Sequence, residues 1–344
     1  MIVREATLED RSAWDSFVDG QGGSFSLYFG WKHVYEVGGN QFIPLLIETA
    51  PFKLVGILPI VREDHLLCST LDSGRGGGGL LLKRGLPDSE RSEATSRLLE
   101  YVDTHYSRRC SSFVLAEAPT SVGKLNEEPT AALVNSGFRF RYDRATGLPC
   151  NYILELRQPF EETIWREWPR RHREAMKQAA SSGVVVIQDQ ELKYAEDFVV
   201  MLSENDKRHG LRPPTREEIM ARMNVFRDKI KLFVALRDGQ PIATLLCHYT
   251  PSTCYLARVG SHEKDTGNAN RLCWKAAIED ACNAGLRFAD FGYTDTEGLA
   301  FFKERYRGTR VPIRVYKKRY SILRTMVQAA PALVTMAWRN KSHF

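Results

Sequence analysis

RFADFGYTDTEGLAFFKERYRGTRVPIRVYK, from Arg287 to Lys317, is the stretch on which the reading of this chain turns. It begins as a β-rich run and closes on Asp290-Phe291-Gly292. A Gly-Leu-x-x-Phe-Lys segment follows from Gly298 to Lys303, then Gly308, and an alternating strand from Pro312 to Lys317 ends it. A charged residue where a strand stops, followed by a lysine on the next helix, suits the rim of an active site better than a core, where an unpaired charge is costly. The plainer alternative is that Asp290 caps a loop and Lys303 is one charge on a basic helix.

Working outward, 344 residues are too many for one domain of ordinary size and suit two of about 150 to 180. The 43% hydrophobic and 26% charged fractions are those of a soluble globular protein with real cores. The start, MIVREATLEDRSAW, has acids and no apolar run, so no signal or transit peptide is expected. Seven scattered cysteines without a C-x-x-C pair argue against a zinc site or a disulfide framework, and for reduced thiols in a cytoplasm. No metal ligands are expected. Charge is uneven: Lys303 to Arg319 holds eight Lys/Arg and one acid, a local +7 within a chain of net +6. A second basic cluster is Arg166, Arg170, Arg171 and Arg173. Two such clusters on a near-neutral body point to an anionic partner, against the alternative of solvated charged faces.

One plan runs through the chain twice. In the first half, strand-like runs cover Phe42 to Glu48 and Leu54 to Arg62, a helix is expected from about Ser89 to Ser107, and strands cover Ser112 to Glu117 and Asn151 to Leu156. In the second, Lys231 to Arg237, Ile242 to Tyr249 and Cys254 to Val259 are strands. A helix from about Asn270 to Ala284, with Gly285 as its stop, leads to strands at Phe288 to Phe291 and Pro312 to Lys317. Between the halves, Pro169 opens a helix from Arg170 to about Ser182. The expected domains are 1–157, 158–320 and an apolar, basic tail, 321–344.

Several motifs carry less than their patterns promise. SGRGGGG, Ser73 to Gly79, contains G-x-G-x-x-G, but Leu80-Leu81-Leu82 and a Lys-Arg-Gly-Leu-Pro run cannot open the helix a dinucleotide site needs. No G-x-S-x-G elbow or Walker loop is present. Lys264 to Arg271, with Gly267, Asn268, Asn270 and Arg271, lies between a strand and a helix and reads as a phosphate-cradling turn or a plain N-cap loop. Arg208 and His209 end a helix before Pro213, where cations also simply answer the dipole. The tail has a 14-residue uncharged run, Thr325 to Trp338, too short to span a bilayer and open to two readings: an interfacial helix, or packing on its own lobe or a second subunit.

The order and spacing of Asp290-Phe291-Gly292 and Gly298 to Lys303, the run WREWPRRHREA from Trp165 to Ala175, and Asn270 to Trp274 resemble the FemAB-like branch of the GNAT acyltransferase superfamily. The resemblance covers most of the chain and is strongest after residue 150. It implies an α/β (α+β) fold of two tandem GNAT-like lobes, each a mixed sheet flanked by helices, sharing one cleft. It implies transfer of an acyl or aminoacyl group to an amine or hydroxyl of a peptidoglycan or exopolysaccharide precursor. The co-substrate would be a charged tRNA or an acyl-CoA, with no tightly bound cofactor. Asp290 would then take the ammonium proton, Lys303 stabilise the oxyanion or a donor phosphate, and Tyr293 relay a proton to the leaving group. Phe302, Arg208, His209, Arg258, Gly267, Asn268, Asn270 and Arg271 would bind donor or substrate. Such a protein would be cytoplasmic, either free or peripheral at the inner membrane face, with no DNA partner. Two alternatives stand beside it: an acyl-carrier or CoA enzyme acting on another acceptor, and a non-catalytic module binding RNA or anionic lipid.

Overall fold

The apolar and alternating runs become strands of two sheets in the computed structural model, which describes residues 1–49, 53–65, 68–73, 78–117, 131–141, 150–262 and 268–321. The described chain divides into two compact units, one drawing on residues 1–117, 131–141 and 313–321, the other on 150–312. Gly267, the tail beyond Ser321 and most of the SGRGGGG stretch (residues 74–77) lie outside the described residues.

In the first unit the order is β1 (Ile2–Glu5), α1 (Arg11–Gly20), α2 (Trp31–Val37), β2 (Gln41–Thr49), β3 (Lys53–Asp64), β4 (Ser69–Ser73), β5 (Leu81–Leu82), α3 (Asp88–Tyr106), β6 (Cys110–Glu117), α4 (Ala131–Asn135) and β7 (Arg139–Arg141). The second unit runs β8 (Cys150–Glu155), α5 (Phe160–Thr163), α6 (Arg170–Ser181), β9 (Val185–Asp189), α7 (Ala195–Arg208), α8 (Arg216–Val225), β10 (Ile230–Arg237), β11 (Gln240–Tyr249), β12 (Thr253–Ser261), α9 (Asn268–Asn283), β13 (Phe288–Thr294), α10 (Glu297–Glu304) and β14 (Thr309–Pro312). Last comes β15 (Arg314–Arg319), which returns to the first unit.

Both sheets follow one scheme. In the first, β1, β2, β3 and β4 are antiparallel neighbours, β4 runs parallel to β6, and β15 lies between β6 and β7. In the second, β9, β10, β11 and β12 are antiparallel neighbours, β12 runs parallel to β13, and β8 lies between β13 and β14. The inserted strand of each sheet is therefore contributed by the chain that has just left the other unit. This differs from two expectations. The strand near Asn151, expected to close the first half, is a central strand of the second sheet, and the closing strand splits at Ile313 between the two sheets. A single cut near residue 157 does not separate the units. An apolar run identifies a strand but not its distant partner, because pairing is decided by non-local contacts.

Cores follow the pattern of the sequence. α3 lays Ala94, Leu98 and Val102, spaced four apart, on Ile43, Leu58 and Phe113 of the first sheet. In the second unit α9 packs Ala277, Ile278 and Ala281 on Leu245 and Ala289, while α7 crosses β12 on Gly260. A Cβ there would stand 2.9 Å from the Leu202 backbone nitrogen, so only glycine admits this approach.

Two irregularities shape the middle of the second sheet. β12 and β13 pair only from Thr253 to Tyr255 and from Phe288 to Asp290. β12 also bulges, because Leu246 faces Arg258 while Cys247 faces Leu256, leaving Ala257 as the extra residue. Beyond Tyr255, β12 has no strand partner on that side among the described residues. No described helix is long and apolar enough to cross a membrane.

Candidate active site at the parting of two parallel strands

Asp290 is the last residue of β13 paired to β12, and the chain turns away directly after it. A bulge between Asp290 and Tyr293 shifts the register against β8, and Gly292 absorbs it at φ +75, a left-handed conformation that costs glycine little. The Asp290 side chain folds back on this turn: Oδ1 accepts the Gly292 N–H at 2.7 Å, and Oδ2 accepts Asn151 Nδ2–H at 3.1 Å. Only 5% of Asp290 is exposed. Burial holds its carboxyl above the usual range, opposed by the Gly292 N–H, the Lys303 cation and Asn151.

Lys303 reaches the same turn from α10, whose N-terminus Thr296 caps through its hydroxyl. Its ammonium donates to Gly292 O at 2.8 Å, Tyr293 O at 2.9 Å and Thr294 Oγ1 at 2.9 Å. All three protons are thus committed. Burial draws the ammonium down to about 8, against the pull of Asp290, Cys150 and Asp295. Lys303, expected to stabilise an oxyanion or a donor phosphate, directs its ammonium into the turn beside Asp290. Tyr293 is swung outward by the bulge and is about half exposed, and partial burial raises its phenol.

The other expected residues fall in three places. Phe302 is partly buried and packs against a core of aromatic rings, 5.1 Å from Trp274 and 5.5 Å from Tyr306 between centroids. Arg208, at the end of α7, donates to Ser261 O at 2.9 Å and ties that helix to the end of β12, while exposed His209 is the helix C-cap. Arg258, just past the β12 bulge, is paired with the buried carboxylate of Asp206. Asn268, Asn270 and Arg271 form the first turn of α9, where Asn270 Oδ1 and Arg271 Nε are buried without a hydrogen bond among the described residues. Asp290 and Lys303 come together at one turn, which Tyr293 joins through its main-chain carbonyl, whereas Arg208 and Arg258 each bind other groups toward the far end of β12.

Sequence reasoning missed Asn151, Thr294 and His172. His172 on α6 is buried against Tyr306, with ring centroids 4.5 Å apart. Burial, then Arg271 and Arg305, push its imidazole down to about 4 and keep it neutral. Nothing in NYILEL marked Asn151, because its role depends on a strand pairing 139 residues away. Among the described residues no cluster of His, Cys, Asp and Glu could hold a metal ion.

Two mixed sheets of one scheme, each with a parallel pair joined through a helix, define a tandem GNAT-like fold. Residues 166–306 match the acetyltransferase (GNAT) domain, a span holding α6 through α10. The crystal structure of FemX superimposes with a TM-score of 0.69 at 13% identity, covering 95% of this chain and 99% of that one. L-PGS from Bacillus licheniformis gives 0.58 at 13% identity over 95% and 97%. A tandem GNAT protein from the clavulanic acid biosynthesis pathway gives 0.55 at 13% over 93% and 99%. No curated protein sequence matches the chain. At these identities the structural likenesses show the fold, and the family match is confined to residues 166–306 of the second unit.

Proposed function

We propose that this chain is an acyltransferase that moves an acyl or aminoacyl group from an activated donor onto an amine or hydroxyl of an anionic cell-envelope precursor. The observation that carries the reading is the buried Asp290 carboxylate, braced by Gly292 and Asn151, where β12 and β13 part. A carboxyl raised by burial is suited to accept the proton of an attacking ammonium, and the freed amine then attacks the donor carbonyl. The half-exposed Tyr293 hydroxyl would give a proton to the departing thiolate or ribose oxygen. Lys303 keeps the turn in shape and supplies positive potential beside the carboxylate. Past Tyr255 the edge of β12 offers main-chain N–H and C=O groups to an extended donor.

An anionic acceptor finds support in a cavity of about 630 Å³ along α6, lined by Arg170, Arg171, Glu174, Ala175 and Gln178. Glu174, the acid in that lining, lies 3.4 Å from Lys177. Arginines in the first turn of a helix oppose its dipole, so their placement there favours a ligand that neutralises them. An envelope acceptor would put the protein at the cytoplasmic side of a membrane, free or peripheral. Thermal unfolding of the full chain with acetyl-CoA and with a charged tRNA separates the donors. Stabilisation by one identifies it, and stabilisation by neither at concentrations of about 100 times a micromolar Kd, where about 2.7 kcal/mol is expected, sinks the transferase reading.

A further inference from the structure

We infer that Asn151 is the positioning residue for Asp290, and that its side-chain amide turns over to follow the protonation of that carboxyl. This rests on the acyl-transfer reading only for its purpose, not for its geometry. β8 sets Asn151 opposite Tyr293 on one side and Val311 on the other, facing the bulge that follows Asp290. The residue is buried, its Nδ2 donates to Asp290 Oδ2 at 3.1 Å, and its Oδ1 is buried without a hydrogen bond among the described residues. An ionised carboxylate only accepts, so Asp290 itself dictates that Nδ2 faces inward and Oδ1 outward. A buried amide left half satisfied is destabilising, and a scaffolding role alone gives no reason to keep it.

Proton transfer supplies the reason. When an acceptor ammonium gives up a proton, one N–H bond breaks and one O–H bond forms on Asp290, with no change in oxidation state. Both carboxylate oxygens already receive donors, Gly292 N–H on Oδ1 and Asn151 Nδ2–H on Oδ2. A new O–H takes the remaining lone pair of one oxygen and needs an acceptor, and of these two neighbours only Asn151 carries one, its unpartnered Oδ1. The backbone N–H cannot turn away, whereas Asn151 can: a half-turn about its Cβ–Cγ bond brings Oδ1 in to accept the O–H. Lys303, which faces Asp290 from α10, does not take over this role, because its protons go to Gly292, Tyr293 and Thr294. The remaining ionisable groups there, Cys150 of β8, Tyr293 of β13 and Asp295 after it, act on Lys303 or on one another, and Tyr255 sits opposite Asp290 across the parallel ladder.

The test is a carboxyl NMR titration of the full-length chain carrying ¹³C-labelled aspartate and ¹⁵N-labelled asparagine, with the Asp290 signal assigned through Asp290→Asn. Wild type is expected to show the Asn151 side-chain amide signals moving with the same midpoint as Asp290. In Asn151→Leu the Asp290 midpoint rises by about 0.7 pH unit, because the lost hydrogen bond to the ionised carboxylate is stronger by about 1 kcal/mol than the one lost to the neutral carboxyl. In Asn151→Asp the two carboxyls share a proton, and a step appears above the wild-type midpoint. Amide signals that stay flat through the Asp290 titration overturn the inference. So does a midpoint within about 0.2 unit of wild type in Asn151→Leu or, should that variant not fold, in Asn151→Asp. None of these readouts needs a substrate, so their failure is distinct from failure of the transfer assay.

Discussion

Lys303→Met removes the ammonium from the turn after Asp290 while keeping most of the side-chain volume. Three acceptors then lose their partner in a place where Lys303 itself is only 3% exposed: Gly292 O, Tyr293 O and Thr294 Oγ1. At about 1 kcal/mol for each stranded acceptor, the low end for buried polar groups, the variant should lose about 3 kcal/mol of stability near pH 10, where burial of the ammonium no longer weakens the wild type. Urea unfolding of the full chain measures it, and amide exchange at 291–294 should localise it. The pH dependence adds a second signature. The native ammonium sits at about 8, below its unfolded value of 10.5. Between those limits the unfolded chain holds a proton the native state lacks, so wild-type stability rises with pH there, by up to about 3 kcal/mol, and is lower below pH 8. The Met variant should lack that rise. A loss under about 0.5 kcal/mol near pH 10, with an unchanged slope from pH 8 to 10, would refute the clamp.

His172 titrates in the opposite window. Its native value near 4 lies below the ordinary 6.5, so as pH falls from 6.5 the unfolded state gains a proton that the native state refuses. Stability should drop by up to about 3 kcal/mol between pH 6.5 and 4. His172→Phe should flatten that acid limb in urea midpoints, and an unchanged limb would exclude His172 as its source. The strand exchange is tested by two fragments, 150–312 and 158–312. The shorter one lacks β8 and leaves β13 and β14 without the strand between them. A cooperative thermal transition is expected only for the longer fragment, and equal transitions for both would mean β8 is dispensable to the second unit.

Much of the element order was readable from residues alone because the periodic runs are long. FIPLLIE, LVGILPIVR, KLFVALR and IATLLCHY all became strands, and the helix expected from Asn270 to Ala284 spans Asn268–Asn283. Short elements escaped. Ser69–Ser73 and Arg139–Arg141 are strands made by pairing rather than by pattern. The exchange of β8 and β15 was invisible for the same reason, since alternation fixes a face but not a neighbour. At the site, the spacing of Asp290 and Lys303 marked two residues on either side of one turn, whose carbonyls Lys303 binds. It could not reveal that the lysine spends its protons on main-chain carbonyls, because those carbonyls are exposed to it only by the bulge at Gly292. Phe302 reads like a ligand contact next to Lys303, and nothing in that spacing showed that one side of its ring packs on Trp274 and Tyr306.

Single-turnover transfer from radiolabelled donor, with the donor chosen by thermal stabilisation and a panel of amine acceptors, tests the central claim when wild type is compared with Asp290→Asn. The account predicts a loss of at least about a hundredfold, the range for removing a positioned general base, with donor binding retained. Transfer by Asp290→Asn within about threefold of wild type would contradict it, since a carboxylate that accepts the ammonium proton cannot be replaced by an amide at so small a loss.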